Sequence, residues 1–312
     1  MMLRIETLEL GLDWLTMKSK LISQPTITVA KKVVIKGFHV LSKGQPCRIT
    51  VEPGWNGFIF SYKGVDIPVN HTTIFNDLNG LHTSAVSSGT TIILVTEHLL
   101  ATLVALGINS AKITLHGANQ IPVHDFSGQD YLPDLLEAGT WQRFSPISQN
   151  RKQSRLKILE PLVFQDGSGS VVMMRPATGL KIEAFIEYPK PIKKQHLSIL
   201  ITKNSFISEL AWARSYIRSA VDKQSWQIKK HTIPYLPDDP KDSPIPVFDN
   251  KGRWISPPRK EDEAVRHKIL DFLGDLALLG CSLEAEITVI RPGHDFNRKF
   301  VQFLGKEFKL KW

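Results

Sequence analysis

The stretch Glu263–Ala–Val–Arg–His–Lys–Ile–Leu–Asp–Phe–Leu–Gly–Asp275 places three ionisable side chains, His267, Asp271 and Asp275, at spacings of four residues. An α-helix turns once in about 3.6 residues, so positions four apart lie on one face. Ile269, Leu270, Phe272, Leu273 and, just beyond, Leu276 fill the other positions with apolar groups. A helix with a histidine and two acids on one stripe and hydrophobes elsewhere is predicted to turn that stripe toward a site, not toward bulk water. A histidine and an aspartate at i, i+4 can share one metal ion, although the same spacing also serves surface and capping pairs. Two ligands are too few for zinc, which takes three protein ligands and keeps one position open in catalytic sites.

A second stretch, Thr96–Glu–His–Leu–Leu100, follows the apolar run Ile92–Val95 and opens another predicted helix, with Thr96 as N-cap and Gly107 as its stop. Together the two stretches offer His98, His267 and Asp271 as a ligand set, with Glu97 left over as a base. His294, in the loop Arg291–Pro–Gly–His–Asp295, reads by itself as an exposed turn residue. His116, His124 and the remaining histidines have no ligand-like spacing and are assigned structural roles.

The chain has 312 residues, 42% hydrophobic and 22% charged, which is the composition of a soluble globular protein large enough for two domains. No stretch approaches the ~18 consecutive apolar residues of a membrane-spanning helix, and the first ten residues mix acids with hydrophobes unlike a signal or transit peptide. The two cysteines, Cys47 and Cys281, form no Cys-x-x-Cys pair and fit a reduced, cytoplasmic protein. The net charge of +9 is spread in short pairs such as Lys31–Lys32 and Arg298–Lys299. With no basic run and no nucleic-acid-binding signature, no nucleic-acid partner is expected; a modest anionic substrate is the better inference of the two, and a merely solvated basic surface accounts for the charge better than either.

Residues 1–25 read as an amphipathic helical leader. Strands are predicted over 26–30, 33–37, 48–52, 57–61, 91–95 and 111–115, with helices over 99–106 and 131–137. Gln149–Asn–Arg–Lys–Gln–Ser154 is wholly polar and marks a boundary between one α+β unit over 26–148 and another over 155–312. The second holds strands over 156–159, 170–175, 180–188 and 286–290, and helices over 206–219, 263–276 and 297–304. Between them, residues 222–260 are broken by eight prolines and glycines, a length of loop that is usually functional. One pattern recurs. Glu97–His98, a helix ending in Leu106–Gly107 and the strand Ala111–Lys–Ile–Thr–Leu115 are echoed by Arg266–His267, a helix ending in Leu279–Gly280 and Ala285–Glu–Ile–Thr–Val289. A duplicated α+β unit would explain the echo and set two equivalent helices across an interface.

These motifs, with Leu106–Gly–Ile–Asn109, Ile121–Pro–Val–His–Asp125, Ala213–Arg–Ser–Tyr216 and Gly293–His–Asp–Phe–Asn297, resemble the UDP-3-O-acyl-N-acetylglucosamine deacetylases, the zinc amidases of lipid A biosynthesis. They run in that family's order from about residue 28 to the C-terminus. The resemblance implies two similar layered sheet-plus-helix domains of the α+β class with the active site at their interface. It implies zinc held by His98, His267 and Asp271, Glu97 as general base, and His294 as the protonated acid oriented by Asp275. Lys268 falls beside the reacting amide, and Ser215 replaces the family's oxyanion-donating threonine while keeping its hydroxyl. The implied partner is an acylated nucleotide sugar.

Two departures stand out. Phe126 occupies the family's glycine between Asp125 and Ser127, which is expected to reshape that turn. The Pro-rich stretch 222–260 replaces a Gly-rich segment that forms part of the family's acyl-chain passage. A zinc amidase with another N-acyl substrate, and a non-catalytic binding homologue, are the competing readings.

Overall fold

The computed structural model describes residues 19–39, 46–78, 81–143, 154–218 and 236–311. The polar boundary segment 149–153, residues 222–235 of the Pro-rich stretch and residues 1–18 of the leader lie outside these. The α+β class holds: mixed sheets are covered by four main helices among the described residues, α1 (Glu97–Ala105), α2 (Leu132–Ala138), α3 (Glu263–Ala277) and α4 (His294–Glu307).

The echo in the sequence is an echo in the wiring. A five-stranded sheet has the order Val33–Phe38, Pro46–Glu52, Ala111–His116, Phe58–Tyr62, Val65–Pro68. Its middle strand, Ala111–His116, runs antiparallel to Pro46–Glu52 and parallel to Phe58–Tyr62. In the larger, seven-stranded sheet Ser282–Ile290 takes the middle place, antiparallel to Val171–Arg175 and parallel to Leu180–Glu187. Outer strands close both sheets by antiparallel pairing: Val33–Phe38 and Val65–Pro68 in one, Leu162–Gln165 and Lys194–Leu200 in the other. A strand that joins a parallel neighbour needs a crossover connection. The crossover into Ala111–His116 contains α1 and the one into Ser282–Ile290 contains α3, so the two helices are structural equivalents.

α1 and α3 pack directly on each other. A Cβ on Gly274 would lie 2.0 Å from the carbonyl oxygen of Glu97, so only glycine allows this approach. Leu99 and Leu103 of α1, Leu270 and Leu273 of α3, Ile113 of one sheet and Ile287 of the other belong to one continuous hydrophobic core. A helix buried on nearly every side carries apolar residues all round, which leaves its few ionisable groups little choice but to face one another.

Two expectations are corrected. Ser19–Ser23 is not helical: it is a strand paired antiparallel with Ser154–Ile158 at the edge of the larger sheet. Its helical pattern loses to a distant partner, as short segments often do. Residues 206–219 do not form a helix either. Helical turns cover Lys203–Ser205 and Phe206–Leu210 and end at Ala211 with an i→i+5 bond to Phe206. Beyond that point the backbone groups have partners elsewhere: the Ala211 carbonyl accepts from Gln129 N, Arg214 N donates to Glu263 and Ser215 N to the Phe126 carbonyl. Groups committed in this way cannot also close a helical ladder. Phe126 adopts φ +61, in the left-handed region that favours glycine, at some steric cost.

Candidate active site

Packing α1 on α3 brings His98, from the first turn of α1, to His267 and Asp271 of α3. All three are buried, and one donor atom from each falls within 4.8 Å of the others. His98 Nε2 and His267 Nε2 each lie 3.2 Å from Asp271 Oδ1. His267 Nδ1–H donates to the Ala213 carbonyl at 3.1 Å, which leaves Nε2 unprotonated and aimed at the group. Burial pushes the His267 imidazole down to about 3, into the neutral form that a ligand needs. Burial also pushes His98 down, but the hydrogen bond to Asp271 and the charge of Glu97 outweigh it and raise its pKa. Around Asp271 burial is outweighed the other way: His267, Lys268 and His294 hold the carboxyl well below its usual range. Two imidazole nitrogens and a carboxylate oxygen, dry and convergent, suit a zinc-class ion. His98 Nδ1 is buried without a partner, so the tautomer of this ring is set at Nε2, by its contact with Asp271 Oδ1.

Glu97 and His294 flank this group. Glu97 is 2% exposed. It accepts from Thr83 Oγ1 at 2.7 and 2.9 Å and from the Ser84 N–H at 3.0 Å. His294 begins α4 and is 8% exposed, which overturns its reading as an exposed turn residue. Its Nδ1 donates to Asp275 Oδ2 at 2.9 Å, and its Nε2 lies 3.6 Å from Asp271 Oδ2. Burial pushes this imidazole down, but the two aspartates outweigh burial and lift it to about 9, so it is a cation at neutral pH. Lys268 Nζ donates to Asp271 Oδ2 at 2.9 Å, and that charge keeps it an ammonium against burial. Ser215 is half-buried and shares the Ala213–Tyr216 segment, anchored by its backbone bond to Phe126. Of the eight residues singled out from the sequence, seven converge; the eighth, Ser215, is linked to the group only through the Ala213 carbonyl of its segment, which binds His267.

Sequence reasoning missed the residues that hold these groups in place. Ser84 joins Glu97 to the His294–Asp275 pair: its N–H binds Glu97, its hydroxyl donates to Asp275 Oδ1, and that hydroxyl lies 3.4 Å from His294 Nδ1. Arg298, 1% exposed, donates from Nη1 to the Thr83 carbonyl at 2.7 Å and so fixes the same dipeptide. Asn297 Nδ2 donates to Asp275 Oδ2 at 2.7 Å. On the other side, Arg214 binds the buried Glu263 at 2.8 Å, and Arg259 ties the Trp212 carbonyl to Asp125; together they hold Ala213 against His267. Thr83 and Ser84 lie in a polar loop without periodicity, and Arg298 is one of a basic pair that looks like surface charge, so the local sequence carried no signal for either. Ser84→Ala removes the hydroxyl bond to Asp275 but keeps the N–H for Glu97. Hydrogen bonds to charged groups are worth enough that kcat should fall about tenfold or more, with metal content close to the parent and the melting temperature lowered by a few degrees because the buried Asp275 loses a donor; an unchanged kcat would take Ser84 out of the site.

Comparison with known proteins gives a consistent result. The family model for UDP-3-O-acyl N-acetylglycosamine deacetylase matches residues 26–306. The UDP-3-O-acyl-N-acetylglucosamine deacetylase of Thermodesulfovibrio yellowstonii is 31% identical over 280 residues, covering 89% of this chain and 90% of that protein. The protein of the same name from Sulfurimonas denitrificans is 29% identical over 291 residues, covering 90% and 91%.

Proposed function

The chain belongs to the UDP-3-O-acyl N-acetylglycosamine deacetylase family, and from that membership we infer that it is a cytoplasmic, zinc-dependent hydrolase that removes the N-acetyl group from UDP-3-O-acyl-N-acetylglucosamine in lipid A biosynthesis. The observation that carries the reading is the convergence of a buried His–His–Asp group with a buried carboxylate on one side and a protonated histidine on the other.

In this reading His98, His267 and Asp271 would hold a zinc ion, which when bound would supply Lewis-acid chemistry to the amide and to water. Glu97, fixed by three hydrogen bonds, takes the proton of the attacking water. Lys268 places a fixed positive charge, and Ser215 a hydroxyl, where the carbonyl oxygen turns negative. His294 gives its proton to the departing sugar nitrogen as the C–N bond breaks, leaving acetate and a free amine. Asp275 accepts the other ring proton, at Nδ1, and sets the ring's orientation, so that the Nε2–H it transfers faces the reacting centre. A cavity of about 310 Å³ opens beside His294 and is lined by His82, Arg291 and Lys299 together with Asp166 and Asp295; Lys299 is paired with Asp166 at 2.7 Å, so a diphosphate there would have to take over that partner. No helix among the described residues is long and apolar enough to cross a membrane.

The decisive experiment measures zinc content and follows release of acetate from the acylated UDP-sugar beside its des-acyl analogue. Turnover of neither, with zinc bound, would overturn this assignment; equal turnover of both would move it toward another N-acyl substrate. The acid–base assignment has its own test. Because Asp275 raises the pKa of His294, Asp275→Asn should lower it, and the basic limb of the kcat/KM profile should move to lower pH by about one to three units. The acidic limb should stay nearly fixed and the zinc should remain, since Asp275 lies one turn beyond Asp271. A basic limb that does not move in an active Asp275→Asn enzyme would transfer the acid role to Lys268.

A further inference from the structure

We propose that this chain has a second ligand site, at the far end of the helix pair that builds the first, and that it takes one medium-length acyl chain with an anionic head. The metal group lies toward the N-terminal ends of α1 and α3. Where the last turns of both helices meet the two sheets there is a separate cavity of about 290 Å³, and none of the metal-group or acid–base residues lines it. Its walls are apolar: Ile27 and Val104 from the first half of the chain, and Leu180, Leu273, Leu276 and Leu283 from the second. Gln24, Asn109 and Ser282 also line it, but their side chains are hydrogen-bonded within the protein, so the remaining apolar wall favours a hydrocarbon over water. Taking about 30 Å³ for the share of one water, and much the same for one methylene, the space suits a chain of about ten carbons.

The head follows from the charge at one edge. Glu284 and Arg155 line the cavity there. Glu284 is already held by Lys157 at 2.7 Å, and Arg155 reaches it only at 3.5 Å with its side chain 46% exposed. Two cations thus face one carboxylate, and the guanidinium has donors to offer a carboxylate head while the tail lies along α3. Leu273 and Leu276 in the cavity wall lie on the same helix as His267 and Asp271, so an occupant would press on the element that carries the metal group.

The test is a calorimetric titration of decanoate into the full zinc-loaded chain and into three variants. His98→Ala disables the metal group, to which a carboxylate can also bind. Ala277→Phe fills the cavity, which Ala277 lines. Arg155→Glu reverses the charge at the edge. We expect saturable binding that survives His98→Ala, is lost in Ala277→Phe, and weakens about tenfold or more in Arg155→Glu. Should Ala277→Phe not fold, Arg155→Glu on the exposed edge decides by itself. Absence of saturable binding, or binding abolished by His98→Ala and untouched by the cavity variants, would overturn the proposal.

Discussion

His267→Ala is expected to strip most of the zinc from the purified chain and to reduce acetate release to background. In the proposed site His267 would supply one of three protein donors, and the bond from Nδ1 to the Ala213 carbonyl orients its ring for that role. Losing only an outer partner of a ligand typically costs 10–100-fold in metal affinity, so losing the ligand itself should cost more than about 100-fold. His98→Ala should behave alike. Asp271→Ala should also lose the metal and destabilise the fold, because it leaves the Lys268 ammonium, whose side chain is only 16% exposed, without its carboxylate. Asp271→Asn separates the two effects by keeping the shape of the side chain. Metal analysis of the four purified variants is the measurement, and full retention of zinc by any alanine variant would remove that residue from the ligand set.

Glu97→Gln should keep the zinc and lower kcat by roughly 10²–10⁴-fold, the usual contribution of a general base. Glutamine is the better first substitution. Glu97→Ala would strand the Thr83 hydroxyl and the Ser84 N–H in a buried place, at about 1–3 kcal/mol for each unsatisfied group, and a loss of activity could then be a loss of structure. The amide oxygen of glutamine can still accept from Ser84, but the side chain can no longer take a proton from water. If Glu97→Gln loses zinc in parallel with activity, Glu97 belongs to the architecture of the metal group and the base must be sought elsewhere.

The sequence by itself determined the class of fold and singled out most of the ionisable residues that converge in it. The spacing of His267, Asp271 and Asp275 is local: once the segment is helical, geometry sets all three on one stripe, and the apolar residues between them ensure that the helix is buried. Glu97–His98 at the head of a second apolar helix is equally local, and the repeated order of histidine, helix, Leu–Gly and strand announced the equivalence that the two sheets display. What stayed hidden depended on partners far along the chain. Gly274 is an unremarked residue in the sequence, yet the Glu97 carbonyl that lies where its Cβ would be sets how closely α1 meets α3. Ser19–Ser23 became a strand because Ser154–Ile158 offered it an edge, and residues 211–216 left the helix because their backbone groups found Gln129, Glu263 and Phe126. His294 looked like a turn residue until α4 packed its ring between Asp275 and Asp271. A periodicity is carried by neighbours in the chain and can be read from them. A proton held by a carboxylate nineteen residues away, or a base fixed by a loop serine that also binds the opposing acid, exists only once the tertiary structure has excluded water and brought those groups within hydrogen-bonding reach.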